Sequence, residues 1–126
     1  MGDLHPLRAS LLVGVGGSLG ALARFYVGVA AKRWLGEGWP FGTLIANLLG
    51  CLMLGLMTGM AAQGEISAST RAALMVGFLG AFTTFSTFCL EATALSRGSA
   101  ASSGLYVAVS VVGGVALVWL GHRLGS

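Results

Sequence analysis

Residues 77–88 read Gly-Phe-Leu-Gly-Ala-Phe-Thr-Thr-Phe-Ser-Thr-Phe, and they lie in an uncharged run long enough to cross a bilayer. The Thr and Ser hydroxyls offer the backbone competing local hydrogen bonds, and the Phe side chains lose freedom in a helix. This stretch therefore predicts a membrane-spanning helix that is broken near its middle. Irregular backbone at membrane depth is tolerated only where protein buries it or where it lines a polar cavity, so the break predicts a conduction or binding site.

The composition identifies lipid as the main solvent of this chain. Of its 126 residues, 56% are hydrophobic and only 9% are charged, whereas a soluble domain carries about 25% charged residues. The formal charge of +3 comes from scattered basic residues with no run among them, which does not support a nucleic-acid partner, and none is expected. Cys51 and Cys89 lie in apolar segments and are predicted to be free thiols. His5 and His122 are predicted to be tail residues.

Interruptions of the uncharged runs predict four spans, at about residues 11–31, 42–62, 72–95 and 103–121. Each is long enough to cross a membrane. The connections are short and leave no room for a soluble domain, so residues 1–126 are predicted to form one all-α membrane domain. The apolar run of the first span is longer than that of a signal peptide, so we expect this span to stay in the mature protein.

The loop charges do not favour one orientation. Four spans place both termini on the same side of the membrane, and three basic residues on that side oppose three on the other. The two sets are Arg8, Arg71 and Arg123 against Lys32, Arg33 and Arg97. Either the count is weak information from a single sequence, or the chain inserts both ways and pairs antiparallel with itself.

Glycine is abundant, with 21 copies. Two pairs, Gly16 with Gly20 and Gly55 with Gly59, have the four-residue spacing that lets helix backbones approach closely in lipid. They predict tight helix packing, either within one subunit or between subunits.

Polar residues inside the spans carry the functional signal, because each is costly in hydrocarbon without a partner. One face of the second span carries Thr43, Asn47 and Cys51, which recur at every fourth residue. The Asn47 amide can donate inward to a ligand or can join two helices. A second short polar track in the fourth span consists of Tyr106 and Ser110, which either line a path or pack against backbone.

Two aromatic residues, Phe85 and Phe88, are three positions apart and share one helical face. An aromatic ring has a positive edge, so rings presented edge-on can help to hold an anion that has lost water. The alternative is ordinary core packing.

Two charged residues inside the spans complete the set of candidates, and each is expensive unless it is paired or solvated. Arg24 can gather anions at a pore mouth or extend along its helix to the interface. Glu91 can act as a proton relay or gate, or it can be a helix-end carboxylate that reaches water or a basic partner.

These residues resemble the Fluc/CrcB family of small fluoride channels. The resemblance lies in residues 17–25 (GSLGALARF), 41–47 (FGTLIAN) and 77–88, with Tyr106 and Ser110 similar to the polar track of the family's fourth span. It therefore covers all four spans. The chain departs from the common pattern at Phe25, Cys51, Ala81 and Phe82.

The resemblance implies a passive fluoride-selective channel that lets cytoplasmic fluoride leave the cell across the inner (plasma) membrane. It also implies an antiparallel, dual-topology homodimer in which the two breaks meet. A structural sodium ion would lie at the dimer centre, bound by the backbone carbonyls of Gly80 and Thr83 from each subunit.

Two separate pores are also implied by the resemblance, each lined by Phe85 and Phe88. Arg24 would lie toward the vestibule, and Glu91 matches a pore-associated carboxylate. The other residues expected along the route are Thr43, Asn47, Ser86, Thr87, Tyr106 and Ser110. Neutral donors suit this task, because hydroxyls and amides can replace the lost water of fluoride.

Three other functions compete with that of a channel. A proton-coupled exporter would use Glu91 as its exchangeable carboxylate, but a cluster of neutral donors and Phe suits an anion better. A purely structural subunit leaves the polar tracks unexplained. An enzyme is the weakest alternative, since no nucleophile, base and orienting group occur together.

Overall fold

The computed structural model describes residues 4–126, and helices make up nearly all of that range. Helix α1 spans Pro6–Leu35 and helix α2 spans Phe41–Ala62. The third span, Ala68–Gly98, is built from several helical segments, and the last helix spans Ala100–Gly125. All four spans are long and apolar enough to cross a membrane, with mean hydropathies from 1.4 to 2.0. They contain the four predicted spans and extend beyond them by up to five residues.

The third span is irregular along much of its length. It begins with α-helical Ala68–Thr70, continues as π-helical Arg71–Leu79 and ends its first half with α-helical Gly80–Phe82; together these segments are α3. Residues 83–85 are not helical, and Ser86–Gly98 then forms α4. The last helix, Ala100–Gly125, is therefore α5.

The interruption lies at the centre of the third span. Thr83 is its middle residue and has extended backbone angles, φ −85° and ψ 158°. Just before it, Phe82 is buried and stacks on Phe78 with 5.8 Å between the ring centroids. The bulk of Phe82 is therefore accommodated inside the subunit.

One predicted glycine pair packs α1 against α3. A Cβ atom at Gly16 would run into the carbonyl oxygen of Ala73, and one at Gly20 would run into that of Phe78. Only glycine allows the two backbones to approach this closely.

The other predicted pair packs α2 against α5. A Cβ atom at Gly55 would meet the carbonyl oxygen of Val118, and one at Gly59 would meet that of His122. Both pairs therefore serve packing within the subunit. Nearer the N-terminus of α2, a Cβ atom at Gly50 would run into the Thr83 side chain. Helix α2 therefore lies directly against the interruption.

Candidate functional site

Asn47 on α2 binds the backbone of the interrupted segment. Its Nδ2 donates to the carbonyl oxygen of Thr84 at 2.9 Å, and its Oδ1 accepts from the N–H of Thr84 at 2.7 Å. The amide thus joins two spans, which was one of its two predicted roles. An amide nitrogen carries two hydrogens, so one N–H is left over for another acceptor.

The Thr84 hydroxyl binds the first turn of helix α4. Its Oγ1 accepts from the N–H of Thr87 at 3.3 Å and donates to the hydroxyl of Thr87 at 3.1 Å. The bond resembles the one that an N-cap side chain makes, although Thr84 lies one residue before Phe85, the N-cap of α4. Ser86, at the start of α4, is exposed.

These bonds leave two backbone carbonyls free. In a continuous α-helix the N–H of Thr84 would bond to the oxygen of Gly80, and that of Thr87 to the oxygen of Thr83. Both N–H groups are directed elsewhere, and within residues 4–126 no hydrogen bond reaches either oxygen. The two carbonyls are those that the resemblance assigns to sodium, and uncommitted backbone oxygens are suitable ligands for a hard cation.

A cavity of about 500 Å³ lies beside the interrupted segment, bounded by α2, α3, α4 and α5. Phe85 and Phe88 both line it, with their ring centroids 5.8 Å apart and their planes at 43°. Phe85 is 77% exposed and Phe88 only 8%, because Phe88 also packs on Tyr106 at 5.2 Å. Both rings therefore reach one cavity, but the predicted helical face is wrong, because Phe85 precedes the first residue of α4.

Ser110 on α5 lines the same cavity, and its hydroxyl is unusual. It is the only buried side-chain nitrogen or oxygen without a hydrogen-bond partner in the described part of the chain. Ser110 also lines a second cavity, of about 580 Å³, which runs past Thr58 and His122. Ser110 therefore contributes to the walls of both cavities, and its hydroxyl has no acceptor among the described residues.

Glu91 on α4 is held by two hydroxyls from other helices. Thr43 on α2 donates to its Oε1 at 2.8 Å, and Tyr106 on α5 donates to its Oε2 at 2.7 Å. Neither partner of Glu91 was predicted from the sequence. The two polar tracks gave the available signal, since Thr43 and Tyr106 each belong to one of them.

The two residues of the predicted polar track, Tyr106 and Ser110, have different surroundings. Tyr106 is fully buried and does not line the cavity of Phe85 and Ser110. Its hydroxyl is committed to Glu91, which itself lines a cavity of about 390 Å³ beneath the loop between α1 and α2.

Arg24 on α1 is half-buried and binds the third span. Its Nε donates to the carbonyl oxygen of Ala81 at 3.1 Å. Arg24 also lines a cavity of about 360 Å³ together with Lys32 and Thr43. Two cationic side chains at one concave surface attract anions, and the place of Arg24 at a pore mouth stays a prediction.

Comparison with known proteins extends these observations. Residues 11–122 match the family described as "CrcB-like protein, Camphor Resistance (CrcB)". A relative from Phenylobacterium zucineum (strain HLK1) is 46% identical over 121 residues, which cover 94% of this chain and 95% of the relative. One from Rhizobium johnstonii is 43% identical over 104 residues, which cover 81% of this chain and 83% of the relative.

A third relative, from Methylococcus capsulatus, is 47% identical over 114 residues; these are 89% of this chain but only 50% of the longer relative. All three relatives are named "Fluoride-specific ion channel FluC", which describes an ion channel and not an enzyme. With four apolar helices and a match that runs from the first to the last of them, this multi-pass membrane protein belongs to the CrcB-like family.

Proposed function

We propose that this protein is a passive, fluoride-selective anion channel that lets cytoplasmic fluoride leave the cell. The observation that carries the proposal is the buried, unpartnered Ser110 hydroxyl in the cavity lined by Phe85 and Phe88. An unsatisfied donor in an apolar site costs free energy unless a ligand accepts its hydrogen bond. The names of the relatives supply the identity of the anion.

The proposed route enters at the cavity of Arg24 and Lys32, passes Thr43 and then follows the Phe rings to Ser110. Asn47 lines the same cavity, and the proposal adds the hydroxyls of Ser86 and Thr87, which follow Phe85 in the chain, as further neutral donors. Conduction requires binding that compensates for lost hydration without trapping the ion. Short hydroxyls and aromatic edges meet both requirements, since neither carries a full charge.

The functional unit of the proposal is an antiparallel homodimer with two such pores. The free carbonyls of Gly80 and Thr83 support it, because they lie at the centre of a span and Gly80 is exposed on the single subunit. Bare carbonyls at this depth cannot face lipid. A second copy placed against them would cover the interrupted segment.

A sodium ion at that contact completes the proposal. Two carbonyls from each subunit would surround the ion with four backbone oxygens, which are hard ligands without charge. The ion would supply structural cohesion between the subunits, and no step of fluoride conduction passes through it.

The proton-coupled exporter remains a second candidate, because Glu91 lines the cavity beneath the loop between α1 and α2. An exchangeable carboxylate must be reachable in this way. The two hydroxyl donors on Glu91 are equally compatible with a fixed structural carboxylate.

Purified protein in liposomes loaded with potassium fluoride separates the two candidates. We expect rapid fluoride release when valinomycin lets potassium follow, and almost none without it, because a passive channel moves net charge. In Glu91→Gln protein the release should remain independent of an imposed pH gradient. Release that is driven by the pH gradient and lost in Glu91→Gln protein would establish the exporter instead.

A further inference from the structure

We infer that Asn47 and Thr84 are positioning residues for the central cation, since they draw away the two N–H groups that would otherwise occupy its carbonyl ligands. The inference rests on the sodium site of the proposed function. It assigns to Asn47 and Thr84 a task that is separate from contact with fluoride.

The first carbonyl is released by Asn47. Its Oδ1 takes the N–H of Thr84 at 2.7 Å, and its Nδ2 holds the carbonyl of the same residue at 2.9 Å. These two hydrogen bonds fix both peptide groups that flank Thr84, the one before it through its N–H and the one after it through its C=O. The N–H therefore cannot return to Gly80, which lies four residues earlier and would be its partner in an α-helix.

The second carbonyl is released by the Thr84 hydroxyl. Its Oγ1 receives the N–H of Thr87 at 3.3 Å. In a helix that N–H would bond to the carbonyl of Thr83. Thr84 thus takes part in both releases: its backbone N–H is held by Asn47, and its side chain holds the N–H of Thr87.

Thr83 does not compete for either oxygen. Its N–H bonds to the carbonyl of Leu79 at 3.1 Å, and its hydroxyl bonds to the same oxygen at 2.9 Å. Both donors of Thr83 are therefore turned back into α3. The carbonyls of Gly80 and Thr83 keep their lone pairs for a cation.

A set of Thr84 variants tests this division of labour. Thr84→Val has nearly the same shape as the parent but lacks the acceptor for the Thr87 N–H, whereas Thr84→Ser retains the acceptor. Thr84→Ala is a second variant without the hydroxyl. Asn47→Leu removes both hydrogen bonds to the backbone of Thr84. Thr93→Val is the matched control, because the Thr93 hydroxyl bonds only to the carbonyl of Cys89 within α4.

The readout is the midpoint of thermal unfolding of the purified protein, measured as sodium chloride replaces choline chloride at constant ionic strength. A cation that binds only the folded dimer raises this midpoint in proportion to its affinity. We expect Thr84→Val, Thr84→Ala and Asn47→Leu to require about 10- to 100-fold more sodium for the same rise, as when an outer-shell partner of a metal ligand is lost. Thr84→Ser and Thr93→Val should respond as the parent does.

Three results overturn the inference: a normal sodium response in Thr84→Val and Thr84→Ala, an equal loss in Thr84→Ser, or a parent protein that does not respond to sodium. If one variant fails to fold, the other hydroxyl-free variant decides. Fluoride release is measured separately. A parent that releases fluoride without a sodium response refutes the cation site alone, while a parent that responds to sodium without releasing fluoride refutes the channel alone.

Discussion

Ser110 shows how one side chain can point to a ligand. A serine in a membrane helix commonly bonds to a carbonyl in the preceding turn, and Ser18 does so, bonding to Gly14 at 2.8 Å. Ser110 makes no such bond although its oxygen is buried. Its donor therefore has no acceptor within the described residues, and the proposed channel assigns that donor to the passing anion.

We predict that Ser110→Ala lowers fluoride release about 2- to 10-fold, the effect of one hydrogen bond with a net value of about 0.5–1.5 kcal/mol. Release is to be followed with a fluoride electrode on liposomes containing equal amounts of protein. Ser110→Thr should conduct well because it retains the hydroxyl. Ser18→Ala, which loses a hydroxyl committed within α1, should match the parent.

Unchanged release in Ser110→Ala would remove this hydroxyl from the pore. An equal loss in Ser110→Thr would show that the shape of the side chain matters more than its donor.

Residue types were easier to predict than the direction of each side chain. Periodicity placed Tyr106 and Ser110 on one face of the fourth span, and that placement holds for their Cα atoms. A long side chain reaches farther than a short one, so Tyr106 extends to Glu91 while Ser110 remains at the cavity. Sequence spacing carries no information on this divergence, because it depends on the position of α4.

At the scale of elements, the third span illustrates what composition can foretell. Its Thr, Ser and Phe residues indicated backbone that would not stay helical, and residues 83–85 are not helical in the structure. The π-helical segment Arg71–Leu79 was not foreseen. It adjoins α1 at Gly16 and Gly20, and such a contact between distant parts of the chain leaves no local pattern in residues 71–79.

The contact between α2 and α5 depends on glycine in the same way. A Cβ atom at Gly121 would collide with the carbonyl oxygen of Leu52 and lie 2.7 Å from the backbone nitrogen of Leu56. Gly104, on the same helix, has no atom within 4 Å of the corresponding position.

Gly121→Ala should therefore destabilise the protein by about 1–3 kcal/mol, the usual cost of forcing extra atoms into a close-packed contact. Gly104→Ala is the matched control and should unfold at the parent's midpoint or slightly above it. The measurement is thermal unfolding in one detergent, followed by circular dichroism. Equal midpoints for Gly121→Ala and the parent would show that α2 and α5 can separate at little cost.

For the whole molecule, two independent features support antiparallel pairing. One is the balance of basic residues between the two sides of the membrane. The other is the pair of free carbonyls at the centre of the third span, where Gly80 is exposed and Thr83 is half-buried. The charges permit insertion in both directions, and carbonyls at this depth must face protein or a polar cavity, a condition that a second copy would meet.

The two loop glutamates, Glu37 and Glu65, allow a direct test, because helix α2 separates their loops and puts them on opposite sides of the membrane. In each of the variants Glu37→Lys and Glu65→Lys, the loop with the new lysine should stay on the cytoplasmic side of the membrane. Each variant alone then lacks oppositely inserted partners, and cells expressing it should lose most of their fluoride resistance. Co-expression of the two variants should restore resistance, because they insert in opposite senses and can pair.

A chain carrying both changes is the matched control, because it contains the same lysines without a bias between the two sides. It should protect cells as the parent does. The orientation is measured by labelling Ser126→Cys from outside the cell, in a chain otherwise without cysteine. Part of the parent population should react. Of the two variants with a single lysine change, one should react fully and the other hardly at all. Full resistance from either single variant, in a population shown by labelling to have one orientation, would mean that parallel copies suffice and that the antiparallel dimer is wrong.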